Sequence, residues 1–151
     1  MTTGLNFAYV TYIKGTAENI WRAITDPQVT HKYWGHNNIS DWKVGSKWEH
    51  QRPDETHAVD VAGTVTVSSP PNRLSFTWAE PVAEPIVHYS VVTIKIDSYH
   101  DIVRLTVNHD DLADQAELKA VTEGWATVLS NLKTFIETGH AMPQKPWDMP
   151  S

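Results

Sequence analysis

Near the end of the chain, Leu118, Val121, Trp125, Val128, Leu129, Leu132, Phe135 and Ile136 recur at steps of three and four. That spacing puts them on one face of a helix within Leu112 to Gly139. Asp114 followed by Glu117 forms a capping box, with Asp111 as a rival start, and Gly139 stands where a left-handed C-terminal residue is expected. Such a helix runs about 24 residues, or roughly 36 Å. Upstream the period changes. Phe7 to Lys14 is β-branched and aromatic and predicts a strand. Thr16 caps a short helix over Ala17 to Thr25 that places Ile20, Trp21 and Ile24 on one face. Asp26-Pro27 restarts a second helix to about Trp34, ended by Gly35.

From Asp41 onward the pattern has period two. Gly45-Ser46 reads as a hairpin turn between Asp41–Val44 and Lys47–Gln51, after a loop over His36 to Ser40. Trp48 and His50 then share one strand face, with Lys47 and Glu49 on the other. Val59 to Ser68 alternates, Pro70-Pro71-Asn72 forces a turn, and Leu74, Phe76 and Trp78 alternate in turn. Glu80 to Pro85 reads as a loop. Val87 to Ile96 reads as a strand with His88, Val92, Ile94 and Ile96 on one side, and Ile102 to Asn108 as the last strand. Strands segregated from helices predict an α+β domain over residues 1–139, followed by an irregular, proline-rich tail over 140–151 that Trp147 anchors. Short connections between strands mean antiparallel pairing, and a sheet of this length curls. Folding that sheet around the long helix buries both apolar faces and leaves a space between them.

Composition narrows the function. The 151 residues are 40% hydrophobic and 20% charged, an ordinary globular balance. A net charge of −6 without a Lys/Arg cluster argues against nucleic acid as partner. With no cysteine, thiolate chemistry and Cys-based zinc sites are excluded. No signal-peptide pattern or membrane-length apolar run is present, so a cytoplasmic protein is expected. Seven tryptophans either fill a core or line a cavity.

The segments AENIWRAITDP (17–27), YWG (33–35), WKVGSKWEH (42–50), VAGTVTVSSPPNRLSFTW (61–78), VRLTVNHDDL (103–112) and GWATVLSNLKTFIETG (124–139) resemble the Bet v 1/START-like superfamily, or helix-grip fold. Within it they are similar to bacterial proteins grouped with the C-terminal domain of the activator of Hsp90 ATPase. The resemblance implies a hydrophobic cavity under the long helix. Relatives in the wider superfamily bind lipids, sterols or plant phenolics, and others catalyse cyclisation or dehydration.

The leading expectation is therefore non-enzymatic binding of a small hydrophobic or aromatic molecule between sheet and helix. Trp34, Trp48, Val61, Trp78, Gly124, Trp125 and Leu129 form the expected contact surface, and His50 supplies a directional hydrogen bond. His88 is a second polar candidate. Gly63 and Gly124 lack side chains on otherwise packed faces, which reads either as close packing or as room for a ligand. The alternatives are a cyclase or hydrolase using a cavity histidine, and an interaction module with an Hsp90-type chaperone as partner. A homodimer through an edge strand or the tail is a further expectation. No cofactor is expected, and no metal, because His31, His36, His50, His57 and Asp60 form no recognised ligand spacing. His109-Asp110-Asp111 reads as capping of the long helix. Asp97, Asp101, Glu80 and Glu84 read as solvated.

Overall fold

The computed structural model of the chain describes residues 4–81 and 88–150. In order, the elements are β1 (Phe7–Lys14), α1 (Ala17–Thr25), α2 (Pro27–Trp34), β2 (Asn37–Ile39), β3 (Lys47–Gln51), β4 (Val59–Ser69), β5 (Arg73–Trp78), β6 (Ser90–Tyr99), β7 (Ile102–Asp110) and α3 (Gln115–Thr138), then a 3-10 turn at Pro146–Asp148. Among the described residues the strands form one antiparallel sheet of order β1-β7-β6-β5-β4-β3-β2, curled around α3 in a helix-grip arrangement.

The helix ends follow their capping chemistry. Thr16 Oγ1 accepts from the Asn19 amide at 3.1 Å, and the Asp26 carboxylate accepts from the Gln28 amide at 3.0 Å. Asp114, not Asp111, caps α3, accepting from the Glu117 amide at 2.9 Å. Gly35 and Gly139 end α2 and α3 at φ values of 73° and 85°, where any side chain would be strained.

The core lies between the inner sheet face and the C-terminal half of α3. Trp125, Val128, Leu129 and Leu132 are buried there, and Val121, Phe135 and Ile136 pack against them. Leu118 is only half-buried and stands outside this cluster. That half of α3 is pinned on two sides. Asn131 donates to the Tyr33 carbonyl of α2 at 3.0 Å and accepts from the Met142 amide of the tail at 2.7 Å. Lys133 Nζ donates to the Tyr12 carbonyl, and Glu137 accepts from the Lys14 amide at 2.9 Å. These two side chains occupy backbone groups on the free edge of β1, the usual place for unwanted strand pairing. Beyond Gly139 the chain folds back so that Trp147 covers Gly35, where an added Cβ would lie 2.9 Å from the indole.

Four expectations are corrected. The stretch His36 to Ser40 is not all loop: Asn37–Ile39 pairs with Gln51–Glu49 as an edge strand. Asp41–Val44 is not the strand partner of β3. Side chains capture its backbone instead: Ser40 Oγ accepts from the Trp42 amide and Asp41 from the Lys43 amide, with Trp42 at φ 59°. Its indole turns inward and donates to the Thr25 carbonyl at 3.0 Å. Alternation in β4 stops at a bulge between Val65 and Val67, which turns Val67 outward. Finally, His109 and Asp110 end β7 rather than cap α3, and His109 is fully buried. The strand expected from Val87 begins at Ser90; Val87, Glu84 and most of the loop expected up to Pro85 lie outside the described residues.

Candidate functional site

A cavity of about 700 Å³ opens between the sheet and the N-terminal half of α3. Its existence follows from what α3 places over it. Ala113, just before α3, and Ala116, Ala120 and Gly124 within it line the cavity at steps of three, four and four, with Glu117 and Val121 as the larger side chains between them. A Cβ added at Gly124 would meet nothing within 4 Å. One turn further on, Trp125 and Val128 close the space towards the core.

Aromatic rings from three separate elements form the inner wall. Trp34 comes from the end of α2, Trp78 from the end of β5 and Trp125 from α3. Ring centroids lie 5.3 Å apart for Trp34–Trp125 and 5.8 Å for Trp78–Trp125, in tilted contacts. His50 stands 5.0 Å from Trp34 and 6.1 Å from Trp78. Of the residues expected at a site, Trp34, His50, Val61, Trp78, Gly124 and Trp125 line this cavity, as does His88. Trp48 and Leu129 do not line it; both are core residues. Trp48 crosses β4 at its cross-strand neighbour Gly63 and donates to the Thr77 carbonyl of β5 at 2.7 Å. Gly63 is likewise no cavity glycine. A Cβ there would sit 1.9 Å from that same carbonyl oxygen, so its bareness serves the packing of β4 on β5.

Sequence reasoning weighed His36 and Asp60 only as metal ligands, and missed Ser90 and the alanine stripe. The stripe was visible as A-x-x-A-x-x-x-A-x-x-x-G from Ala113, but small residues carry little weight in a search for apolar faces.

Behind the wall, His109 connects three of these groups. The Trp125 indole N–H donates to His109 Nδ1 at 3.1 Å. An indole nitrogen can only donate, so His109 carries its proton on Nε2 and donates to Ser90 Oγ at 2.7 Å. Ser90 in turn donates to the Trp78 carbonyl at 3.2 Å. Burial pushes the His109 pKa down to about 4, which keeps the ring neutral. The pair Ser90–His109 thus has a nucleophile-and-base separation but the wrong tautomer for it: the nitrogen facing the hydroxyl has no free lone pair. Trp125→Phe is expected to keep the ring and strand His109 Nδ1 without a donor, lowering stability by about 1–3 kcal/mol. Urea denaturation measures this, and nitrogen NMR of His109 in the unsubstituted protein should show protonation at Nε2. A proton found on Nδ1 would contradict the arrangement.

His50 is held differently. Its Nδ1 is bonded to the Asn38 side-chain oxygen, so Nδ1 carries the proton and Nε2 is left as an acceptor. His36 stacks on the ring with centroids 3.9 Å apart. Burial first, and His36 second, push the His50 pKa down to about 3 against an opposing pull from Asp60. Asp60 accepts from His36 at 2.8 Å and from Arg52 at 3.0 Å, and these contacts hold its carboxyl below the usual range. Among the described residues no three His, Asp or Glu side chains converge as a metal-binding group. No helix among them is long and apolar enough to cross a membrane.

Comparison with known proteins places this architecture. The HSP90 activator from Plasmodium falciparum has 21% identity to the chain and a TM-score of 0.73, covering 87% of this chain and 96% of its own. ChR145 from Cytophaga hutchinsonii has 27% identity and a TM-score of 0.73, covering 89% and 95%. The Aha1 dimer from Colwellia psychrerythraea has 20% identity and a TM-score of 0.72, covering 89% and 97%. No curated protein gives a significant sequence match. The family model described as Activator of Hsp90 ATPase homolog 1-like protein matches residues 14–137, and the chain belongs to that family.

Proposed function

We propose that this chain binds a small apolar or aromatic molecule in the cavity under α3 and does not transform it. The observation that carries the reading is the cavity itself. It has about 700 Å³ of space, an inner wall of Trp34, Trp78 and Trp125, and an α3 wall in which Ala116, Ala120 and Gly124 alternate with Glu117 and Val121. That volume is typical of small-molecule sites, which combine apolar walls with a few placed polar groups. Here His50 Nε2 is such a group.

The polar groups favour binding over chemistry. A histidine with a pKa near 3 is a poor proton acceptor at neutral pH, because a general base works best with a pKa near the working pH. His109 is locked in the unhelpful tautomer.

Intrinsic tryptophan fluorescence and thermal shift against phenolics, sterols, fatty acids and amines test the reading. Gly124→Leu is expected to fill the space below α3 and weaken any ligand found by more than about tenfold, because the cavity volume near Trp125 is lost. Its thermal midpoint should not fall, since the helix gains a better helix former. Undiminished affinity in this variant, or silence across the whole panel, would count against the site.

A second reading rests on the family description and on the Plasmodium relative's title as an HSP90 activator. It predicts a complex with an Hsp90-type chaperone and a faster chaperone ATPase rate. If neither is measured, that reading falls and the cavity reading stands. The Colwellia relative's title as a dimer gives a similar reason to measure this chain's mass in solution by light scattering.

A further inference from the structure

We infer that the ligand of this cavity is an organic cation: a protonated or quaternary amine on an apolar or aromatic body. The inference rests on the binding reading above and names the chemical class it admits.

Charge on the walls is of one sign. The ionisable groups lining the cavity are Asp60, Glu80, Glu117 and three histidines, with no Lys or Arg among the described lining residues. Residues 82–87, VAEPIV, contribute no basic side chain either, whatever their placement. Asp60 is matched by Arg52 and His36. Glu80 and Glu117 have no ion pair among the described residues, so the walls keep two unmatched negative charges. Glu80 is exposed and Glu117 half-buried, so both stand towards the solvent side of the cavity, where salt screens them but no basic group among the described lining residues offsets them.

The neutral polar groups point the same way. His50 offers Nε2 as a lone pair, because Asn38 takes the Nδ1 proton. His88 donates through Nε2 to the Asp111 carbonyl at 2.6 Å, so that nitrogen is already used. The indole donors of Trp125 and Trp48 are spent on His109 and Thr77. Those of Trp34 and Trp78 are neutral dipoles that can serve a neutral oxygen but do not balance a carboxylate. An ammonium group would meet the carboxylates, the His50 lone pair and the aromatic rings that line the cavity. A fatty acid or other carboxylate would meet like charge and acceptors.

The test uses the full chain at pH 7 and three probes of matched body: 4-phenylbutylamine, 4-phenylbutanol and 4-phenylbutyrate. Isothermal titration calorimetry is expected to rank the amine at least about tenfold tighter than the alcohol, with the carboxylate weakest. The preference for amine over alcohol should shrink with added salt. In the Glu80→Gln/Glu117→Gln variant it should fall to less than about threefold, because the unmatched charge is gone. Equal or weaker binding of the amine relative to the alcohol overturns this inference and leaves the cavity reading in place, as does a carboxylate that binds best. No binding of any probe overturns both.

Discussion

Replacing Gly63 with alanine is expected to cost more than about 3 kcal/mol, enough to leave much of the chain unfolded at 37 °C. The cause is steric alone. Gly63 is not among the residues with positive φ, so an alanine would not be strained by its backbone angles. Its new Cβ would instead lie 1.9 Å from the Thr77 carbonyl oxygen and 2.6 Å from the carbonyl carbon. Backbone cannot swing aside as a flexible side chain does, so β4 and β5 would have to separate. Separation would also disturb the Trp48 indole, which donates to that oxygen and packs on Phe76 with centroids 4.6 Å apart. The contrasting substitution is Gly124→Ala. With open space around the new methyl, it should raise stability by about 1 kcal/mol through helix propensity. Urea denaturation of the two variants decides both statements. A Gly63→Ala protein as stable as the parent would show that β4 and β5 do not approach as described.

Acidification from pH 6.5 towards 4.5 is expected to destabilise the fold by about 5 kcal/mol, through His50 and His109. Their folded pKa values are depressed to about 3 and about 4, mainly by burial. Well above pH 6.5, near pH 8, both histidines are neutral in the folded and unfolded chains, and neither affects stability. Below pH 6.5 the unfolded chain takes up two protons that the folded chain refuses. Each refusal costs about 1.4 kcal/mol per pH unit, until pH reaches the folded pKa and the loss levels off. Between pH 6.5 and 5 the loss belongs to the histidines. Asp60 and Glu137, whose folded pKa values are lowered, add their own loss only as pH falls towards the carboxylate range. Urea midpoints across pH 5–6.5 should give a slope of about two protons in the parent and about one in His50→Gln. A flat profile, or an NMR titration placing either ring near 6.5, would show that these imidazoles are not sealed from water.

Much of the architecture could be read along the chain. The capping residues Thr16, Asp26 and Asp114, the Pro27 start and the Gly35 and Gly139 ends act over four residues or fewer, and all hold as read. Failures came where a local pattern had two outcomes. Asp41–Val44 has the residues of a short strand, yet two side chains captured its amides first. Asn37–Ile39 is polar and only three residues long, and it is a strand because β3 offers a free edge. The same ambiguity divided the aromatic residues. Trp48 and Trp78 alternate on strands in the same manner, but one fills the core and the other lines a cavity.

His109 shows the limit most clearly. Its position next to Asp110 and Asp111 resembles a helix cap, yet its partners are Ser90 and Trp125, nineteen and sixteen residues away. Gly63 and Gly124 look alike in the sequence, and the space around each is set by chains brought near from elsewhere: the Thr77 backbone at one, nothing at the other. The three helices with their caps and most of the strands were therefore legible from sequence, because periodicity and capping are short-range, while the helix-grip class came from the family resemblance. The cavity wall, the tautomers and the unmatched carboxylates belong to the folded chain alone, because each depends on which distant groups meet and how much water their meeting excludes.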